Sequence, residues 1–190
     1  MKTAFTYDDV YYISDTNAQP TTINFDAPED AQTEEVTSGY SLMGTGFKSI
    51  NEAPNAETEE VGYINQKSMS TTTKSYNNKW SGSADKIVDD KAVMNLYNIA
   101  YYQKTGQEAE RNLVEIDRSQ PYGEGGKTYK ARLVRVSCAI SNIAKEATNK
   151  ITYDFELSAV KDPVFGKFDT STKTFTVADT TKPAAGAGSI

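Results

Sequence analysis

The chain has 190 residues, a formal net charge of −6, 37% hydrophobic residues, no histidine and one cysteine. That length suits one domain burying roughly 70% of the surface its unfolded chain exposes. The missing histidine excludes Ser-His-Asp and Cys-His nucleophile activation and every His-bearing zinc site, and the lone Cys138 makes neither an internal disulfide nor a Cys-rich metal site. No stretch of 18 consecutive apolar residues is present, so no transmembrane helix is expected, and Asp8 and Asp9 interrupt the place where a signal-peptide core would sit. Acidity is concentrated between Ile23 and Gly62, where nine acids face a single Lys48. Such a chain lacks the Lys/Arg density by which phosphate-gripping proteins release counterions from nucleic acid.

Taken in chain order, Phe5–Ile13 reads as a strand. Residues 17–37 follow as an acidic excursion carrying two of the six prolines and few apolar residues. Ser41–Ile50 reads as a strand containing Gly44 and Gly46, and glycines in a strand mark a bulge or close backbone approach. An acidic connector, Asn51–Glu60, leads to strand candidates Glu60–Asn65 and Lys74–Ala84. Tyr76 and Trp80 share one phase of the latter and suit core or interface anchors.

The spacing of Ala92, Val93, Leu96, Ile99 and Ala100 predicts an amphipathic helix over about 89–103, capped by Asp89 or Asp90, with Gly106 as its stop. Arg111–Asp117 is a further strand. In the long run that follows, Tyr129, Ala131 and Leu133 hold one phase and Val134, Val136, Cys138 and Ile140 the other, which predicts a bulge or a strand whose halves face different neighbours. Ile151, Tyr153, Phe155, Leu157 and Ala159 alternate strictly with polar residues, the cleanest strand pattern in the chain. Pro163–Phe168 and Lys173–Val177 flank a turn-rich spacer and predict a hairpin. Overall, residues 1–178 read as one domain and 179–190 as a flexible C-terminal extension.

Three patterns invite a ligand reading and fail on spacing. Gly123–Thr128 ends in Gly-Lys-Thr, but the glycine that a phosphate loop requires five residues earlier is Pro121, and a strand pattern follows instead of a helix. Gly44 and Gly46 lack the third glycine of a dinucleotide fingerprint, that position being Ser49. Glu57, Glu59 and Glu60 lack the spacing and glycine turn of an EF-hand, which favours a solvated charged loop. Cys138 lies on an apolar phase, where cysteine behaves as a small hydrophobe.

What remains is an ordered series: Gly44, Gly46, Phe47, Ser49, Ile50, Glu52, Asn55, Glu57, Glu60, Tyr63 and Ile64, then a Ser/Thr/Lys run, the helix, and Asp162, Pro163, Val164, Gly166, Phe168 and Asp169. The series resembles the major tail tube protein of long non-contractile-tailed, siphovirus-type bacteriophages. In that family a Gly-x-Gly strand leads into an acidic stretch and a Tyr-Ile element, and a Gly-Asp-Pro-Val-x-Gly-x-Phe-Asp hairpin closes the domain. The likeness covers Tyr40 to Val177; Lys161 replaces the usual glycine, and Pro20–Ser38 is longer than the family's corresponding segment.

The resemblance implies a mainly β subunit, a β-sandwich or partial barrel with one packed helix, that assembles as hexameric rings stacked into the conduit for genome delivery. It implies no enzyme activity, cofactor or metal. The implied partners are other copies of the chain, a tape measure protein, a tail terminator and distal tail proteins, with DNA passing through unbound. The implied location is the virion tail, assembled in the host cytoplasm. Ring closure would use strand edges that otherwise invite uncontrolled pairing. On this reading Asn55, Glu57, Glu59, Glu60 and Tyr63 are candidate contacts between subunits or rings. Asp154 and Glu156, on the polar face of the clearest strand, are candidate lumen-lining carboxylates that repel DNA phosphates over about 8 Å at physiological salt. The alternative is a monomeric β-sandwich binding or decoration module of a virion or cell surface, which explains the strands but not the ordered series.

Overall fold

In a computed structural model of the protein, residues 9–18, 35–37, 39–62, 68–122, 126–145, 147 and 150–177 are described. Over these residues the chain is mainly β, with one α-helix, α1 (Lys91–Tyr101), and a 3-10 turn at Gly106–Ala109. The strands are β1 (Asp9–Ser14), β2 (Glu35–Thr37), β3 (Tyr40–Leu42), β4 (Phe47–Ala53), β5 (Ala56–Val61), β6 (Ser70–Tyr76), β7 (Lys79–Asp85), β8 (Glu110–Pro121), β9 (Thr128–Ala144), β10 (Thr152–Ala159), β11 (Val164–Asp169) and β12 (Thr174–Val177). No helix among the described residues is long and apolar enough to cross a membrane.

The 17-residue β9 is the spine of a curled, half-barrel sheet. One of its edges pairs with β8, while the other pairs first with β11, through Thr128–Leu133, and then with β10, through Val136–Ala144. Beyond β10 lie β7 and β4; beyond β11 lie β12 and β2; beyond β8 lie β1 and β3. All these pairings are antiparallel.

This arrangement explains the change of phase in β9. Ala131 and Leu133 face a core shared with Tyr12, Val114, Ile116, Val164, Phe168 and Phe175. Val134, Val136 and Cys138 point the other way, into a second core with Trp80, Tyr153, Phe155, Leu157 and the apolar stripe of α1. Pairing runs unbroken through Leu133↔Val114 and Val134↔Leu113, so the phase change needs no bulge there. The strand simply passes from one core to the other. The register shift in β9 comes later, opposite Asp154/Phe155.

The helix forms where the apolar stripe predicted it. Asp90 caps it, its carboxylate accepting from the Val93 N–H at 3.0 Å, and Ala92, Val93, Leu96 and Ile99 are buried. Its stop is not Gly106. The Lys104 N–H donates to the Ile99 carbonyl and that of Gln103 to the Ala100 carbonyl, with Gln103 at φ 50°, a Schellman closure made without glycine.

Two expected strands are each divided. Ser41–Ile50 becomes β3 and β4, because Gly44–Phe47 forms a turn in which Gly46 takes φ 91° and a side chain would meet Ile87 and Val93 at 3.0 Å. Lys74–Ala84 becomes β6 and β7, broken at Asn77 and Asn78. The expected C-terminal hairpin is β11–β12, and β10 has the strict in/out alternation its sequence shows. Phe5–Asp8, most of the 17–37 excursion and residues 179–190 lie outside the described residues.

Candidate functional site

The acidic connector is not a loop. Its second half is β5, which pairs with the Ser/Thr-rich β6 as a two-stranded sheet separate from the main one. Thr71, Thr72 and Thr73 supply β-branched residues suited to a pleated strand. Every residue of both strands is exposed except Val61, which is half-buried. The hairpin therefore carries no core of its own and packs none of its side chains deeply against the body.

Its base is tied more firmly. Asn55, at φ 46°, makes the turn out of β4 and donates its side-chain amide to the Asn77 carbonyl at 3.0 Å. The Asn77 N–H returns a bond to the Pro54 carbonyl at 3.1 Å, and the Asn78 amide donates to Glu52 at 2.8 Å. Asn55 thus aims the arm. Glu57 accepts from Ser75 at 3.1 Å and Glu59 pairs with Lys74 at 3.2 Å, whereas Glu60 has no such partner among the described residues. Tyr63 lies outside the described residues.

Asp154 and Glu156 stand on the polar face of β10, away from the helix. Across the strands they line up with short polar side chains: Ser83 and Asn142 beside Asp154, Ser81 beside Glu156, and Ser49 and Asn51 one strand further on β4. The two carboxylates are not equivalent. Glu156 forms an ion pair with Lys79 at 3.1 Å, while the Asp154 carboxylate accepts from the Asn142 amide at 3.2 Å and has no ion-pair partner among the described residues. The face is a hydroxyl- and amide-rich surface with one uncompensated carboxylate among these residues.

Beneath the hairpin, β4 is held by a cluster that sequence reasoning missed. Arg132 on β9 forms ion pairs with both Glu52 on β4 and Glu115 on β8, each at 2.5 Å, and its guanidinium lies 5.7 Å from the Trp80 ring centre. Burial pushes the Glu115 carboxyl up, against the opposing pull of Arg132. Glu52 is 80 positions from Arg132, so no local pattern signals the pairing. A second arginine, Arg135, binds Glu110 at 3.0 Å and Asn112 at 2.9 Å, and donates to the Asn17 carbonyl at 2.7 Å where the chain leaves β1. Among the described residues no group of three or more Asp, Glu, Cys or His side chains is placed to hold a metal ion.

No protein-family model matches the chain, and no curated protein matches it. Among solved structures it is similar to a chain in the C6-symmetric tail of an empty gene transfer agent particle, at 12% identity over 86% of this chain and 98% of that one, with a TM-score of 0.47. It is also similar to a chain of the anti-feeding prophage tube-terminating cap, at 11% identity over 89% of this chain and 93% of that one, with a TM-score of 0.46. A third likeness is to the anti-feeding prophage baseplate, at 7% identity over 90% of this chain and 98% of that one, with a TM-score of 0.42. All three scores fall below 0.5, so these likenesses by themselves define neither a shared fold nor a shared function.

Proposed function

We propose that the chain is a self-assembling structural subunit of a phage-type tail tube, stacked as hexameric rings through which DNA passes without specific binding. The observation that carries this reading is the β5–β6 hairpin, whose side chains are exposed along almost its whole length. An isolated two-stranded hairpin is marginal in water. One aimed by hydrogen bonds at its base is explained by a neighbour that buries it. The ordered sequence series from Gly44 to Asp169 supports the same reading, as does the edge of β4, which among the described residues pairs on one side with β7 and on the other with no strand.

On this reading Glu57, Glu59, Glu60 and Tyr63 contact a neighbour, Asn55 orients them, and the polar face bearing Asp154 and Glu156 lines the lumen. Short hydroxyls and amides there give a passing duplex little to adhere to, and Asp154 supplies the repulsion.

The test removes the arm. Because Asn77 and Pro54 are already hydrogen-bonded, a short Gly-Ser link between them closes the gap left by deleting residues 55–76. The variant should keep the parent's circular dichroism and melting temperature, while electron microscopy at rising concentration shows tubes for the parent and none for the variant. A parent chain that stays monomeric, even with a tail initiator complex present, would overturn the proposal in favour of a monomeric binding module.

A further inference from the structure

Three arginines lie on the paired strands β8 and β9 with most of their surface covered, and one of them is anomalous. Arg132 has two carboxylate partners and Arg135 has one. Arg111, 3% exposed, has none among the described residues: its Nε donates to the Asn95 side-chain oxygen at 2.9 Å, and its Nη1 to the carbonyls of Glu108 and Glu110 at 2.9 and 2.7 Å. All three acceptors are neutral. Buried charges are ordinarily paired, because leaving one uncompensated in a low-dielectric setting is costly. Burial accordingly pushes the Arg111 pKa down, although a guanidinium stays charged.

Arg111 lines a groove of about 500 Å³ between α1 and the end of β1. Lys91, Asn95 and Asn98 contribute one stripe of the helix, and Lys104 and Asp15 complete the charged lining. Neither lysine has an ion-pair partner among the described residues, and the Asp15 carboxylate is engaged by the Ser41 hydroxyl at 2.5 Å. Three cations and one acid thus share a concave site, with the Asn98 side-chain amide beside them, while the Asn95 amide is taken up by the Ser14 carbonyl at 2.7 Å. The site has the chemistry of a carboxylate receptor.

We propose that this groove receives the acidic β5 edge of the hairpin from a second copy of the chain, with Glu57, Glu59 and Glu60 facing Lys91, Lys104 and Arg111. This rests on the self-assembly reading above and names the surface that the arm meets. Charge complementarity selects the occupant: β5 carries three carboxylates, of which one has a lysine partner, and its outer backbone edge has no strand partner among the described residues. Arm and groove are different patches, so the contact is head-to-tail, the type that generates rings or filaments.

Charge reversal on each side tests the pairing. In the full-length chain, K91E/K104E and E57K/E59K/E60K should each raise the concentration needed for assembly about tenfold or more, since like charges across an interface cost several kcal/mol. A chain carrying both sets should return to within about threefold of the parent. Lys91 sits in the first turn of α1, where glutamate suits the helix dipole better than lysine, so the groove variant should melt like the parent. Unchanged assembly in both one-sided variants, or no rescue in the combined chain, would overturn the proposal while leaving self-assembly intact.

Should the parent not assemble, the self-assembly reading fails separately, and a synthetic peptide of residues 54–61 titrated into the full-length protein still tests the groove. Binding that shifts the NMR signals of Lys91, Lys104 and Arg111 and disappears in K91E/K104E supports the pairing. No binding at millimolar peptide overturns it. Tighter binding of a peptide of residues 24–35, or of a short DNA duplex, would also overturn it.

Discussion

Tyr76 ends β6 with 64% of its surface exposed, whereas Trp80, four residues later in β7, is fully buried. Their strands are of equal length, seven residues each, and each carries one large aromatic residue. What differs is the setting. β7 lies between β4 and β10 with Trp80 in the core beneath α1, and β6 has β5 as its single strand partner among the described residues. One strand is held by burial, the other by cross-strand hydrogen bonds open to water. The hairpin therefore belongs to the low-stability end of the molecule, the end from which binding segments are drawn.

The sharpest way to break that comparison is to truncate both aromatics. Trp80→Ala should cost about 3–5 kcal/mol, the usual range for emptying a large buried aromatic site. Tyr76→Ala should stay within about 0.5 kcal/mol, as surface substitutions do. Urea unfolding of the two variants measures both, and a Tyr76→Ala loss comparable to that of Trp80→Ala would show that the hairpin packs on the body after all.

The next largest effect concerns the clip that holds β4, the strand from which the arm springs. Arg132→Met leaves Glu52 and Glu115 facing each other without their shared cation, a loss of about 2–3 kcal/mol, below the range for fully buried pairs because the site is partly open. The loss should depend on pH. Burial already holds the Glu115 carboxyl above its ordinary value of 4.5, and removing Arg132 raises it further. A carboxyl raised in the folded state is penalised when ionised, so the deficit is full above the raised value and fades as pH falls through it towards 4.5. Melting curves from pH 4 to pH 8 follow the sign, and a deficit that grows on acidification would show that the Glu115 charge is not what Arg132 compensates.

The same contrast explains what the sequence reveals. In β10, polar residues alternate with Tyr153, Phe155 and Leu157 because one face meets a core and the other meets solvent. Likewise Ala92, Val93, Leu96 and Ile99 repeat at helical spacing because α1 has one buried stripe. β5 has no core to face, so Ala-Glu-Thr-Glu-Glu-Val carries no periodicity and its residues suggest a connector. The phase change in β9 is visible, but its cause, two cores on opposite faces, depends on β10 and β11 sharing one edge. The Arg111 groove joins the end of β1, α1 and β8, so nothing in a local window announces it. Long-range charge pairing is invisible to pattern, whereas burial writes itself into period.

Cys138 offers the finest test, because it faces the helix-side core from β9 and reports on the spine without perturbing it. Burial pushes its thiol up to about 12, and the side chain is 4% exposed. At pH 8 the thiolate fraction is then about one in ten thousand, and the thiolate is the reactive form. Alkylation by iodoacetamide should therefore proceed only through opening of the spine, at a rate set by the population of the open state. Deleting residues 55–76 should leave that rate unchanged, since the arm adds nothing to the core around Cys138, whereas Trp80→Ala should accelerate it sharply. An arm deletion that speeds alkylation as much as Trp80→Ala would mean that hairpin and spine open together, and the division between a body held by burial and an arm awaiting a neighbour would be lost.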